Sequence, residues 1–325
     1  MMRYAIPFLS ALSLLLGSLC DAELSGIKLL ITATIGWNHE IFLMEGLEGK
    51  PVRLTDNPAF DAHPRWAPDG EKLVFTSDRD GNRELYILDL KSGEMRKLTS
   101  SDEEDDYPVW SPDGRWIAFA SFLIGRPDTL KLSFLNPLRG RKVQLKDDLG
   151  LIPFAWRRDG LFLYGPEGIY KLDPLQVMRE GGLKAEMIYP RPEQIRVFGH
   201  FGISMPFERD LVVLADSDWF NRFDLYLMNL RDGGLIKLTN DKAKDTSPCL
   251  TPDGRFIFFI SNRKGCLGGG DIYIMGDDGR IVRQLKLDLD EAEVSVYDPA
   301  YDYFASPLLD LKPLTWGVIK RKGGR

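Results

Sequence analysis

Pro64-Arg65-Trp66-Ala67-Pro68-Asp69-Gly70 decides the fold of this chain, because the sequence repeats it. Two further copies are Pro108-Val109-Trp110-Ser111-Pro112-Asp113-Gly114 and Pro248-Cys249-Leu250-Thr251-Pro252-Asp253-Gly254, and a degenerate fourth is Phe154-Ala155-Trp156-Arg157-Arg158-Asp159-Gly160. Successive aspartates lie 44 residues apart (Asp69 to Asp113), then 46 (to Asp159), then 94 (to Asp253), about twice the first interval. A period of forty-odd residues is typical of stacked supersecondary units.

Each repeat carries more than its Pro-Asp-Gly turn. An apolar run follows the turn, at residues 73–77, 116–121 and 256–261. A second apolar run contains a tyrosine, at Tyr86, Tyr226 and Tyr273, and several repeats end on Leu-Thr, at Thr55, Thr99 and Thr239. Short β-branched and aromatic runs separated by Gly-bearing turns predict strands joined by hairpins. Four such strands in each repeat predict the blade of a β-propeller.

The number of repeats predicts an all-β, six-bladed propeller of four-stranded antiparallel blades. Blades 2 to 6 are expected at residues 61–99, 106–145, 152–190, 198–239 and 245–285. Blade 5 lacks the Asp-Gly turn, but its apolar runs fall where the period requires them. Blade 1, at residues 28–55, has three strands and no inner strand before them. We expect a strand at residues 297–304 to complete it, because Pro299-Ala300-Tyr301 resembles the Pro-x-Trp of the other inner strands.

The repeated residues themselves are interpreted as structural. A tryptophan ring buried between neighbouring blades contributes about 1.5–3 kcal/mol through the apolar area removed from water. The aspartate of Pro-Asp-Gly is expected to bond its own backbone in the turn. Because every repeat has it and a reaction needs a catalytic group once, it is not a candidate catalytic acid.

These combined signatures, W-(S/A)-P-D-G, S-x-R-x-G, L/I-Y-x-M/L and L-T, resemble the TolB-type, WD40-like propeller repeat over residues 27–304. The resemblance implies six blades, closure by a C-terminal strand and a periplasmic binding module that docks a lipoprotein partner over one face. The first predicted strand begins close to the expected cleavage site, which leaves no room for the N-terminal α/β domain of TolB. A role in the Tol–Pal system is therefore not assumed.

The N-terminal residues are typical of an export signal. Arg3 precedes an apolar stretch of about 15 residues, which is too short for a membrane helix. Small residues at Cys20 and Ala22 predict cleavage after Ala22, and this is favoured over lipidation at Cys20 because Leu19 is large. We expect a signal peptide at residues 1–22, a propeller at 23–304 and a tail at 305–325, in a periplasmic or secreted protein.

Composition fits one exported domain. The 325 residues are 44% apolar and 11% aromatic, and the formal net charge is −6. A negative charge argues against nucleic acid as a partner, since phosphate neutralisation dominates that binding. We expect a monomer with no cofactor and no transmembrane segment after cleavage.

Loops that link blades and loops between second and third strands emerge on one face, which we call the upper face. Apolar loop residues there are candidate contacts for a protein partner: Phe122, Leu123, Ile124, Trp219 and Phe220. Acidic neighbours (Asp105, Asp106) and all three histidines (His39, His63, His200) complete the predicted interaction face. The alternative is that the aromatic loops fold back over their own blades.

Other candidate sites are weaker. The histidines show no metal-ligand spacing, and residues 78–82 lack the third acidic position and the closing glutamate of a calcium loop, so a hairpin turn is expected there. Cys249 and Cys266 remain after signal cleavage and could form a disulfide if the loop at 264–270 folds back, with Cys249 opposite Phe258.

Two classes of function remain, with a third as a variant. A non-enzymatic binding module is favoured because no nucleophile, base and orienting group are recognisable together. A propeller of a hydrolase or lyase is the alternative, although the sequence has neither a G-x-S-x-G elbow nor an H-x-H pair. A small-ligand site in the central channel is the variant.

Overall fold

Six four-stranded antiparallel sheets make up the molecule. The computed structural model describes residues 22–145, 150–174, 176–177, 185–195, 202–207, 209–217, 223–263, 270–287, 289–299 and 301. In each sheet, neighbouring strands are also neighbours along the chain, except in the sheet that joins the two ends of the propeller. The predicted six-bladed propeller is therefore confirmed.

The strands are numbered in chain order. Blade 1 contains β1 (Lys28–Ile35), β2 (Asn38–Glu45) and β3 (Val52–Arg53), with the last described strand, β24 (Asp290–Tyr297), next to the axis; blade 2 contains β4 (Asp61–Trp66), β5 (Lys72–Ser77), β6 (Glu84–Asp89) and β7 (Met95–Lys97); blade 3 contains β8 (Glu103–Trp110), β9 (Ile117–Leu123), β10 (Arg126–Asn136) and β11 (Arg141–Gln144). Blade 4 contains β12 (Ile152–Arg157), β13 (Gly160–Gly165), β14 (Gly168–Leu172) and β15 (Glu186–Pro190); blade 5 contains β16 (Ile203–Ser204), β17 (Leu211–Ser217), β18 (Phe223–Asn229) and β19 (Leu235–Lys237); blade 6 contains β20 (Asp245–Leu250), β21 (Phe256–Ser261), β22 (Asp271–Gly276) and β23 (Ile281–Leu285).

The closing strand is present but begins seven residues earlier than predicted. Strand β24 pairs with β1 so that Tyr297 faces Lys28 and Val294 faces Ile31. Placement at residues 297–304 was wrong because the Pro-Ala-Tyr echo follows the strand instead of forming it; the ring of Tyr301 packs 5.9 Å from that of Phe207. Alternation along Glu-Val-Ser-Val-Tyr, with Val294 buried in the blade 1 core, decides the register.

Blade bounds follow the period closely. The strands of blades 4 and 6 span 152–190 and 245–285, as predicted. Blade 5 begins at Ile203 with an inner strand of two residues, the shortest inner strand among the described residues. Its missing Asp-Gly turn accompanies this short strand, since β16 and β17 pair only at Ile203 and Ser204.

The repeated tryptophans lie between blades, as predicted. Trp66 is 9% exposed and packs with Leu30 and Ile41 of blade 1 as well as Leu73 and Phe75 of its own blade. Trp110 and Trp156 occupy the same place in the next two clusters. Each ring therefore packs between two neighbouring sheets and joins them through apolar contact.

The aspartates of the Pro-Asp-Gly turns bond their own backbone, which confirms their structural role. One carboxylate oxygen of Asp69, Asp113 and Asp253 accepts a hydrogen bond from the backbone N–H two residues on, at 2.9, 3.1 and 3.0 Å. The glycine that follows each aspartate has φ between 64° and 72°, a conformation that a side chain disfavours.

The Leu-Thr signature also has a structural cause. The Thr55 hydroxyl donates to the carboxylate of Glu40, and Thr99 makes the same bond to Glu84, each at 2.5 Å. Both glutamates are buried, so each needs such partners. Each bond ties the beginning of the third strand of a blade to the segment that follows its fourth strand.

The segment at residues 78–82 forms the β5–β6 hairpin, as expected. Arg79 reaches back to the buried Asp61 with a two-oxygen contact at 3.0 Å, and Arg263 does the same to Asp245 at 2.9 Å. The Ser-x-Arg signature therefore joins a hairpin to the first residue of its inner strand. The described residues include no helix with the length and hydrophobicity that a membrane span requires.

Gly70 tests the packing of the closing strand. A methyl group on Gly70 would overlap the ring of Tyr297, whereas one on Gly114, with nearly the same φ, would lie 3.9 Å from Pro68 Cδ. We expect Gly114→Ala to lower the free energy of unfolding by about 1–2 kcal/mol through its backbone alone. Gly70→Ala should lose about 1–3 kcal/mol more through overpacking. Urea denaturation of both variants measures the difference, and equal losses would contradict this packing of β24.

Candidate binding site at the mouth of the central channel

The inner strands of all six blades surround one axial cavity. Its volume is about 510 Å³, and residues of β4, β8, β12, β16, β20 and β24 line it. Propeller cavities of this kind are large enough for a small ligand or an extended protein segment. Because inner strands begin at the upper face, their first residues form the mouth of the channel.

Three inner strands share an unusual backbone conformation at this mouth. His63, Tyr107 and Ser247 have φ of 52°, 56° and 50°, and each directly precedes the proline of Pro-x-Trp/Leu. The pairing of each strand with its neighbour shifts register at this point. These bulges place three side chains at the channel wall. Non-glycine residues in this region of φ are strained, and such strain concentrates at functional sites.

His63 belongs to a hydrogen-bonded network that spans two blades. Its Nδ1 lies 2.6 Å from Asp106 Oδ1, and its ring stacks on Tyr107 at 4.6 Å. Asp106 is fully buried and also accepts from the Thr76 hydroxyl at 2.8 Å and from Arg83 Nη1 at 2.9 Å. The carboxylate thus holds the imidazole in one orientation, with the opposite edge of the ring turned away from Asp106.

The charges of this network shift its pKa values. Burial acts to lower the pKa of His63, but the Asp106 carboxylate outweighs it and raises that pKa above 6.5. Burial acts to raise the pKa of Asp106, yet His63 and Arg83 hold it at about 2. Burial raises the pKa of Tyr107 to about 12, so its hydroxyl stays protonated. The pair is therefore an imidazolium and a carboxylate at any pH between the pKa of Asp106 and that of His63.

A second charged pair crosses from blade 2 to the closing strand. Arg65 Nη1 donates to Glu293 Oε1 at 2.6 Å, and the other carboxylate oxygen of Glu293 accepts from the backbone N–H of His63 at 3.1 Å. Both side chains line the cavity. The channel mouth therefore offers hydrogen-bonding groups of both charges within an apolar wall.

Comparisons with known proteins agree with this architecture. Residues 24–123 match the family model described as the TolB beta propeller domain. The structure of TolB from Acinetobacter baumannii superposes with a TM-score of 0.64 at 16% identity, covering 84% of this chain and 67% of that one. Residues 24–123 are therefore similar to the repeats of that family, and the likeness to the TolB structure shows a shared fold.

Two other solved structures also share the fold of this chain, and both are less identical to it in sequence than the TolB structure is. One is that of a nidogen/laminin complex, with a TM-score of 0.61, 11% identity and coverage of 83% of this chain and 98% of that one. The other is the hydrazine synthase of Kuenenia stuttgartiensis, with a TM-score of 0.64, 14% identity and coverage of 84% and 46%. A comparison with curated proteins gave no match. At these identities the likeness concerns the fold alone.

The predicted site residues of blade 3 differ in exposure: the apolar ones reach the surface and the acidic ones are buried. Leu123 and Ile124, in the β9–β10 hairpin, are 43% and 60% exposed, and Phe122 is half-buried. Asp105 and Asp106 do not form an acidic rim, because both are buried in β8. Asp105 corresponds to Asp61 of blade 2, but Leu123 occupies the position of the arginine in Ser-x-Arg. Asp105 therefore bonds Ser121 and Lys142 instead of an arginine.

His39 and His63 lie in strands, not in loops. His63 lies in β4 with 22% of its side chain exposed, and His39 lies in β2 with its ring 4.7 Å from that of Phe60. Cys249 faces Phe258 across the β20–β21 pair, as predicted. The predicted contacts His200, Trp219 and Phe220 and the second cysteine of the proposed disulfide, Cys266, lie outside the described residues.

Three site residues were not predicted. Arg65 could have been found, since it is the middle residue of Pro-x-Trp and alternation places it on the face of the inner strand opposite to Trp66, which packs against blade 1. Glu293 could not be placed while the closing strand was assigned to residues 297–304. Trp37, at the tip of the β1–β2 hairpin, is fully exposed.

The two described histidines should titrate on opposite sides of pH 6.5. Ring NMR signals should give His63 a pKa above that value and His39 a pKa below it, because burial and the charge of His63 lower the pKa of His39 more than Asp290 raises it. Asp106→Asn should lower the pKa of His63, since Glu293 is then the carboxylate left to oppose burial.

The titration of His63 also makes the free energy of unfolding depend on pH. The pKa of His63 is raised on folding, so its pairing contributes stability below about pH 6.5 and loses it as pH rises through the folded value. Asp106→Asn should remove that part of the pH dependence in thermal unfolding. A His63 signal that titrates below 6.5 in the unmodified protein would contradict the pairing.

Proposed function

We propose that this chain is an exported, non-enzymatic binding module that holds a protein partner on its upper face. The observation that supports this most directly is the exposure of Trp37, together with Ile35 on the same hairpin. Leu123 and Ile124 project from the equivalent hairpin of blade 3. Exposed aromatic and aliphatic side chains are the usual anchors of protein interfaces.

These hairpins lie at the same end as the channel mouth. Asp290, the first residue of β24, pairs with Thr34, next to the β1–β2 hairpin. Glu103, the first residue of β8, pairs with Leu123, next to the β9–β10 hairpin. A partner anchored on both hairpins would therefore pass across the opening lined by His63 and Tyr107.

The fold does not by itself distinguish binding from catalysis. Structural relatives include a propeller in a nidogen/laminin complex and one in an enzyme, hydrazine synthase. The preference for binding rests on the sequence, which lacks a nucleophile elbow, and on exposed anchors that a buried reaction does not need. The role of an envelope lipoprotein as partner rests on the TolB-type repeats alone.

Cross-linking can test the upper face directly. A photo-reactive phenylalanine analogue at Trp37 or Ile124 should give an adduct with a protein of the native host. The same analogue at Leu138 is a matched control, because Leu138 is 88% exposed in the β10–β11 turn at the opposite end of the strands. Adducts of equal yield at Leu138, or none at either upper-face position, would overturn the proposal.

The partner identified in this way allows an affinity measurement. Trp37→Ala should weaken its binding at least about tenfold, as expected for an anchor at the centre of an interface. The midpoint of thermal unfolding should not change, because the side chain makes no contribution to the core. A loss of stability with unchanged affinity would assign Trp37 a structural role instead.

Export is tested by the N-terminus of the protein isolated from its host. Intact mass and N-terminal sequencing should give a chain that begins at Glu23, because the signal predicted at residues 1–22 is removed. A chain that begins at a lipid-modified Cys20 would establish the lipoprotein alternative. An uncleaved Met1 would contradict export by this signal.

A further inference from the structure

Two neighbouring blade interfaces can be compared residue by residue, because their sequences are offset by 44 positions. In blade 1 Ala33 pairs with Glu40, and in blade 2 Ser77 pairs with Glu84. The same offset relates Thr32 to Thr76, His39 to Arg83 and Ala62 to Asp106. The interface between blades 1 and 2 therefore has the backbone of the interface between blades 2 and 3, with different side chains at two of these three positions.

Between blades 2 and 3, one carboxylate fills the position that these residues surround. Asp106 accepts hydrogen bonds from the Thr76 hydroxyl and from Arg83, and its side chain is fully buried. A buried carboxylate requires such partners, and buried donors likewise require an acceptor. Threonine, arginine and aspartate satisfy one another here.

Between blades 1 and 2 the acid is missing and its partners remain. Ala62 has no carboxylate to offer. Within the described part of the chain, Thr32 Oγ1 and His39 Nδ1 are buried atoms without a hydrogen-bond partner. Thr32 is 1% exposed, and the His39 ring is held against Phe60. A buried polar atom without a partner costs about 1–3 kcal/mol of folding free energy. The interface between blades 1 and 2 carries this cost, whereas Asp106 removes it between blades 2 and 3.

The residues that carry the unpartnered atoms border the axial cavity. Thr32, His39, Phe60, Ala62 and His63 all line it, and we call this group the blade 1–2 niche. A ligand in the cavity therefore lies next to the position that corresponds to the Asp106 carboxylate, and it reaches the two buried atoms once the side chains that cover them shift.

We propose that the blade 1–2 niche binds the carboxylate group of a ligand that occupies the central channel. The carboxylate takes the position of the Asp106 side chain, the Thr32 hydroxyl donates to it as Thr76 does to Asp106, and His39 donates in place of Arg83. One planar group with two acceptor oxygens matches this pair of donors, and the neighbouring interface shows that the fold accommodates it.

Surrounding charges are compatible with an anion in the niche. The groups that act electrostatically on His39 are His63 on β4, which lowers the pKa of His39, and Asp290 on β24, which raises it. Glu293 is already paired with Arg65. A carboxylate beside His39 would favour its imidazolium form, as Asp106 does for His63. The niche rests on these contacts and does not depend on the proposed protein partner.

The direct test titrates the purified chain with sodium acetate and sodium succinate, with sodium chloride as the control anion. The His39 ring signals, assigned with a His39→Gln variant, should shift in a saturable manner with either acid and not with chloride. Thr32→Val, which removes only the hydroxyl, should weaken this binding about tenfold.

Thr246→Val is the matched control for Thr32→Val. Thr246 lines the same cavity in blade 6, at the position that Ala62 occupies in blade 2. Its replacement should leave the titration unchanged. Absence of a saturable His39 shift with both acids, or equal weakening by Thr32→Val and Thr246→Val, would overturn the proposal.

Ala62→Asp supplies the missing carboxylate from within the chain. This variant should raise the pKa of His39 and abolish the response to acetate. If the variant does not fold, the Thr32→Val titration decides. An Ala62→Asp protein that folds and still binds acetate as the unmodified chain does would overturn the proposal.

The same variant separates the two possible sources of the carboxylate. If the ligand is a free organic acid, Ala62→Asp should leave cross-linking from position 37 unchanged. If the carboxylate belongs to the protein partner, Ala62→Asp should reduce that cross-linking while Thr246→Val does not. Failure of all cross-linking with a normal acetate titration would refute the proposed function and leave the niche intact.

Discussion

Antiparallel pairing of β24 with β1 is the constraint on which the rest of the structure depends. Every other blade takes its four strands from one continuous repeat, but blade 1 takes its inner strand from the other end of the propeller. Without β24, the inner edge of β1 would expose unpaired backbone groups, and Val294 could not complete the core shared with Leu29 and Ile31. The ring is thus held closed by a pairing between segments more than 250 residues apart.

A repeated backbone allows chemistry to vary at fixed positions. The residue before the inner-strand proline has the same strained conformation in blades 2, 3 and 6, yet it is His63, Tyr107 or Ser247. The residue before it in the same strands is Ala62, Asp106 or Thr246. Because Pro-x-Trp and its neighbours fix the backbone, substitutions at these channel positions change hydrogen bonding without changing the fold. The function of a propeller is set by such positions, and the repeat signature does not report them.

The architecture could be predicted because its signals are local. Turn glycines, inward tryptophans and the Leu-Thr ends recur at a fixed period, and each has a local physical cause such as a positive φ or a buried hydrogen bond. The closing strand was misplaced because it carries none of these signals and is defined by its long-range partner. Burial of Asp105 and Asp106 was missed for a similar reason: a run of five acidic residues, 102–106, suggests a solvated surface, and the partners Lys142 and Arg83, distant in sequence, make burial possible. The unpartnered Thr32 and His39 became visible only when two interfaces could be superposed by their pairing.

Ring closure and assembly of the channel mouth are one event in this molecule. Glu293 lies on the closing strand, and its carboxylate bonds both Arg65 and the backbone of His63 on blade 2. An ion pair that is largely removed from water gives little net stability once desolvation is counted, so hydrophobic packing of β24 must provide most of the free energy of closure. The Arg65–Glu293 pair instead fixes geometry. With β24 in place, Glu293 holds the strained His63 beside Asp106. Opening of the ring would therefore remove the arrangement of charges at the channel mouth.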